Sequence, residues 1–169
     1  MTFDDAFAYV VGEEGVLSLD PHDKGNWTGG AVGVGELKGS KYGISAASYP
    51  DLDIANLSLY QARAIAQTRY WNPIAGDEIP YGAALCIFDF GYNAGDEESI
   101  RVAQRALGLR DDGECGPLTL AALKACNVAD FVPKFTAERL RVYSEMPEWS
   151  RDGAGWTARA NLTAQRALT

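Results

Sequence analysis

The sequence predicts an α+β, mostly α protein, with a small N-terminal β-hairpin region and a helical lobe around a buried central helix. Three observations carry this. Apolar residues recur at three- and four-residue spacing along most of the chain. One stretch, residues 17–45, replaces that spacing with seven glycines and short Val and Leu alternations. One segment, Tyr81–Tyr92, is apolar nearly all round, as a helix covered on every side must be.

Taken in order, Thr2 with Asp5 makes a capping signal, and Phe3, Ala6, Phe7, Val10 and Val11 follow at helical spacing. A first helix is therefore expected to reach Glu13 or Glu14 and to stop at Gly15. In the glycine-rich stretch, Trp27, Val32, Val34, Leu37 and Tyr42 argue for turns and short strands rather than a linker. From Ser45 onward the chain reads as helical. Ser58 with Gln61 is a second capping box, with Ala62, Ile65, Ala66 and Tyr70 on one face, and Trp71-Asn72-Pro73 closes that helix. Pro80 opens the central helix, and Asp89 inside its apolar run is expected to bond a neighbouring helix. Gly95-Asp96 turns the chain into a helix through Ile100, Ala103 and Leu107. Gly116-Pro117 opens another, and residues 128–145 supply a third. Gly153-Ala154-Gly155 is expected to break the chain before a last amphipathic helix, Trp156–Leu168.

Bulk properties exclude several classes. The 169 residues suit one compact domain with room for two lobes. No stretch reaches the roughly 18 apolar residues of a membrane span, so no membrane insertion is expected. The acidic start, Asp4-Asp5, lacks the basic residues of a secretory signal. A net charge of −8 argues against a nucleic-acid partner. It also disfavours an anionic polymer, so binding of one would rely on cleft shape. With one histidine, His22, zinc and Ser-His-Asp chemistry have little support; we expect no cofactor and no metal. Cys86, Cys115 and Cys126 are an odd set; only Cys115 and Cys126 are close enough in sequence to suggest a bridge, against the alternative of three free thiols.

A carboxylate at a helix end, facing a glycine-rich hairpin, suits glycosidic cleavage. The reaction needs a protonated carboxyl near the leaving oxygen and a second polar group opposite. Burial against apolar walls such as Phe7, Val10 and Val11 would keep such an acid protonated.

Glu14-Gly15-Val16-Leu17, Asp20-Pro21-His22-Asp23-Lys24-Gly25 and Ser40-Lys41-Tyr42-Gly43-Ile44 resemble the signature of glycoside hydrolase family 108: EGGY, a DPxDPGG stretch, then T-x-[YF]-G-I. Downstream, Phe88–Gly95, Gln104–Gly108 and Asp112–Thr119 resemble the peptidoglycan-binding region that accompanies these enzymes. The resemblance covers residues 3–150 with the motifs in order. It implies a lysozyme-like fold, with a catalytic lobe over residues 1–79 and a helical, peptidoglycan-binding-like lobe over 80–169, packed as one domain. It also implies a phage-endolysin-type muramidase that cuts the β-1,4 bond between N-acetylmuramic acid and N-acetylglucosamine.

On that resemblance Glu14 is the catalytic acid, six positions before Asp20-Pro21, with Glu13 about 100° away on the helix. Asp23 stands nine residues on, either to activate a water or to stabilise its turn. Ser40 occupies the signature's Thr position after an insertion spanning about Asn26–Gly39; Thr28 is the rival hydroxyl. Val16 and Leu17 replace the signature's Gly and Tyr. Tyr42 lines a sugar subsite or packs. Tyr92 and Asn93 hold substrate or cap a helix end. Tyr70 and Trp71 read as core. The partner implied is bacterial peptidoglycan, met by a monomer made in the cytoplasm without a signal peptide. It would reach the periplasm through a separate holin or secretion machinery. A non-catalytic wall-binding module, a lytic transglycosylase and a chitinase are the other readings of the same chain.

Overall fold

The computed structural model describes residues 1–12 and 15–169. Its regular elements are α1 (Phe3–Val10), β1 (Ser40–Lys41), β2 (Ile44–Ser45), α2 (Leu59–Ala66), α3 (Tyr81–Ala94), α4 (Asp96–Leu107), α5 (Pro117–Ala125), α6 (Val128–Ser144) and α7 (Trp149–Ala167). Short 3-10 turns cover Lys24–Asn26 and Asn72–Ile74, and a π-turn covers Gln67–Trp71. The chain divides into two compact units, residues 7–66 and residues 1–6 with 67–169.

In the larger unit, α3 is the axis of the core. Residues 82–91 are all buried, and α4, α6 and α7 pack against it. Phe88 and Phe90 lie about 200° apart around the helix, so they serve opposite sides. Phe88 meets Trp71 at 5.7 Å and Phe3 at 5.8 Å between ring centroids. Phe90 meets Tyr143 at 5.4 Å and Phe135 at 6.2 Å. Trp71 is thus a core residue, with its indole N–H donating to Asp77 at 2.9 Å.

Asp89, between those two phenylalanines, bonds two neighbouring helices, as expected of a polar residue in an apolar run. Its carboxylate pairs with Arg139 of α6 and with Arg159 of α7, whose Nε donates at 2.8 Å. Thr163 adds its hydroxyl at 3.2 Å. The Arg139 guanidinium also donates to the Tyr143 hydroxyl at 2.9 Å. Cys86 is buried on the same helix, and burial pushes its thiol up to about 12. All three cysteines are free.

Glycines set the close approaches. A Cβ on Gly82 would fall 2.3 Å from the Ala167 carbonyl oxygen, so glycine lets the end of α7 meet the first turn of α3. α4 ends on Gly108 at φ 72, where the Gly108 and Leu109 N–H groups close on Arg105 and Gln104. Gln104 then organises the loop beyond. Its amide nitrogen donates to Asp112, Glu114 and Thr119, and its oxygen accepts from the Gly113 N–H at 2.9 Å.

Three sequence expectations are corrected. α1 ends at Val10 rather than at Glu13 or Glu14, because Gly12 takes the left-handed conformation (φ 71) just after Val11 closes the last turn on Phe7. Residues 46–57 are turns, with Ile54 and Leu57 buried, and the helix begins only at Leu59. Residues 153–155 do not break the chain: α7 runs through them, with Gly153 leaving room for the Trp149 ring. Elsewhere the signals hold. The Ser58–Gln61 box is reciprocal, Ser58 N–H to Gln61 Oε1 at 2.9 Å and Gln61 N–H to Ser58 Oγ at 3.2 Å.

Candidate active site

The smaller unit carries the glycine-rich region, and its local bonds can be followed residue by residue. Glu13 and Glu14 lie outside the described residues. Gly15, the residue after Glu14, lies against the Tyr42 ring. A Cβ there would fall 2.0 Å from Tyr42 Cζ and 2.5 Å from its hydroxyl oxygen. An aromatic hydroxyl therefore stands beside Gly15, although Leu17 replaces the signature's tyrosine.

Tyr42 reaches that position from an unusual backbone. With Gly43 it forms the turn between β1 and β2, at φ 53 and 75. Positive φ at both central residues is the geometry of a two-residue hairpin turn that follows the strand twist. For a tyrosine it is a strained conformation. Lys41 holds the hairpin from behind, its Nζ donating to the Ala55 carbonyl at 3.1 Å and lying 5.6 Å from the Tyr42 ring centroid.

Ser40, the first residue of β1, is flanked on both sides. It pairs with Ser45 of β2, and it exchanges backbone bonds with Ser18, at 2.9 and 3.0 Å. Pairing sets the Ser18 and Ser40 side chains on one face. Leu17 and Leu19 lie on the other, over Gly39, where they line a groove of about 410 Å³ with Leu37 and Ile54.

Asp23 sits at the N-cap of the 3-10 turn Lys24–Asn26 and is exposed. Its Oδ1 accepts from the Gly25 N–H at 2.8 Å. Asp20 stabilises the preceding turn in the same way. Its carboxylate accepts the His22 N–H at 2.9 Å, and that bond holds its carboxyl below the ordinary carboxylate range.

The insertion is a looped-out excursion. Trp27 bridges Leu37, and the Thr28 N–H bonds the Glu36 carbonyl at 3.0 Å. The Thr28 hydroxyl accepts the Glu36 N–H at 2.8 Å, so it serves the excursion itself. At its base is Asn26, wholly buried. Its carbonyl accepts from Lys38 and Gly39, and its Nδ2 donates to the Asp20 carbonyl at 3.1 Å and Ser18 Oγ at 3.4 Å. Among the described residues its Oδ1 has no donor. In the sequence Asn26 marks only the edge of the insertion, and nothing in composition or spacing singles it out.

The structure thus brings Asp23, Ser40, Thr28 and Tyr42 into the smaller unit. Tyr92 and Asn93 belong to the larger one. Tyr92 packs on Tyr70 at 5.2 Å and Phe88 at 5.8 Å between centroids. Asn93 is exposed at the end of α3, its Nδ2 donating to the Asp89 carbonyl at 2.7 Å. Among the described residues no cluster of His, Cys, Asp and Glu could hold a metal ion, and no helix is long and apolar enough to cross a membrane.

The sequence model of the family Glycosyl hydrolase 108 matches residues 7–95, more than half of the chain. The chain belongs to that family. As a member it is a glycoside hydrolase. Among solved structures it is similar to SagA from Brucella abortus, with 25% identity and a TM-score of 0.80, over 98% of this chain and 93% of that one. No curated protein matches. The fold is the α+β, mostly α, lysozyme-like one that the sequence led us to expect. The family match spans the whole hairpin region and α3, and ends before α4.

Proposed function

We propose that the protein is an N-acetylmuramidase that hydrolyses the β-1,4 bond between N-acetylmuramic acid and N-acetylglucosamine in bacterial peptidoglycan. Glu14 is the general acid. It protonates the leaving oxygen while Asp23 and Ser40, on the opposite sugar face, orient the attacking water, with inversion at the anomeric carbon. The observation that carries this reading is the contact of Tyr42 with Gly15. It joins the chain next to Glu14 to the hairpin that starts at Ser40. A strained tyrosine against Gly15 fits a sugar-facing role for Tyr42, and strain of this kind concentrates at functional sites.

The engagement of Thr28 with Glu36 supports Ser40 as the third polar residue. Asp23 caps its turn through Oδ1, and its exposed carboxylate keeps acceptor capacity for a water. Tyr92 and Asn93 are assigned to substrate binding, and residues 1–79 to the catalytic lobe. Acting as an endolysin, the enzyme would reach the wall through a separate holin or secretion machine.

Glu14→Gln tests the proposal on purified sacculi, followed by turbidity. Rates should fall about 100- to 10,000-fold, the usual worth of a positioned general acid. Equal clearing by both proteins would sink Glu14. Mass spectrometry of the products should show reducing N-acetylmuramic acid ends; 1,6-anhydro ends would mark a transglycosylase instead.

A further inference from the structure

The insertion between Asp23 and Ser40 poses a geometric problem. Two groups proposed to manage one water must keep a fixed separation, yet sixteen residues, 24–39, lie between them. Most of that chain is the excursion, and a flexible link of such length would let the two groups drift.

We infer that Asn26 is the positioning residue that holds Ser40 in register with the Asp23 turn; this rests on the muramidase reading above. Asn26 bonds every segment concerned. Its N–H donates to the Asp23 carbonyl at 3.1 Å, which completes the 3-10 turn that Asp23 caps. Its carbonyl accepts both the Lys38 and Gly39 N–H groups, at 3.1 and 3.0 Å, immediately before Ser40. Its Nδ2 donates to the Asp20 carbonyl and Ser18 Oγ, and Ser18 is the backbone partner of Ser40. The excursion therefore leaves and rejoins the unit at one buried residue, and its length drops out of the Asp23–Ser40 geometry.

The side chain adds to the same tie: from a wholly buried position its nitrogen spans Ser18 and Asp20. It does not touch the sugar; it acts through Asp23 and Ser40.

Steady-state kinetics on purified glycan strands, with the full chain, test the inference. Asn26→Ala should lower kcat about tenfold, with KM moving less than about twofold, at a temperature where circular dichroism shows the variant folded. The pH–rate profile of Asn26→Ala should be displaced from that of the wild type. Asn26→Ser, which restores a short donor, should recover part of kcat. A lower Tm with unchanged kcat and pH profile would make Asn26 a stability residue and overturn the inference. If the alanine variant does not fold, the serine variant decides: folded, with full kcat and an unmoved pH profile, it overturns the inference in the same way. Failure of the underlying reading looks different, as wild type would then release no reducing ends, or Asp23→Asn and Ser40→Ala would both leave kcat intact.

Discussion

Asp89 shows what a single residue can demand of its surroundings. It is a carboxylate inside the most apolar helix of the chain, and it is tolerated because two arginines and a threonine converge on it. Removing it would leave Arg139 buried and without its counter-charge, the costly way to break such a pair. Asp89→Ala should therefore destabilise the protein by about 3–5 kcal/mol, read from the urea midpoint. A loss under about 1 kcal/mol would mean that water reaches Arg139 in the variant. The sequence announced that Asp89 must bond something, since buried polar groups do. It could not name Arg139 and Arg159, which lie fifty and seventy residues away. Asn26 was hidden for the same reason. Asp23, Ser40, Thr28 and Tyr42 could be picked out from the order of their motifs, whereas the bonds each one makes depend on how the inserted segment closes.

At the level of elements, signals that act within one turn were legible and those that depend on a distant neighbour were not. The Ser58–Gln61 box and the Gly116-Pro117 start of α5 need only their own residues. Gly153 is the opposite case. Glycine lowers helix propensity, so the triplet at 153–155 reads as a break, yet here a ring demands the space. A Cβ at Gly153 would fall 2.7 Å from Trp149 Cδ2 and Cε3. Gly153→Ala should accordingly lower stability by about 1–3 kcal/mol, the usual cost of overpacking, although alanine is the better helix former. Thermal denaturation checks the sign: a raised Tm would mean that the Trp149 ring moves aside freely. The early end of α1 has a similar lesson. In the sequence Gly15 reads as its stop. Gly12 takes the left-handed conformation, and Gly15 is needed as glycine for the Tyr42 ring instead.

Across the whole molecule, the fold class was readable because helical spacing, the glycine-rich interruption and one all-apolar segment are properties of long stretches. Charge belongs to the same scale. At −8 the enzyme should be repelled by an anionic wall polymer, so its recognition must come from short-range contacts. Raising NaCl from low to about 0.15 M shortens the screening length to about 8 Å, and KM on sacculi should fall as the repulsion is screened. A KM that rises with salt would point to a local basic surface that outweighs the net charge.

The pinched excursion has one more consequence, for how this chain can change over time. Its tip, where Val32 and Val34 are exposed, hangs from a base closed by Asn26 and by the Trp27–Leu37 bridge. Doubling a closed loop costs only about 0.6 kcal/mol in chain entropy. The span between Thr28 and Glu36 can thus lengthen or shorten while the hairpin beneath stays as it is. The excursion is a place where the lineage can experiment without touching its chemistry.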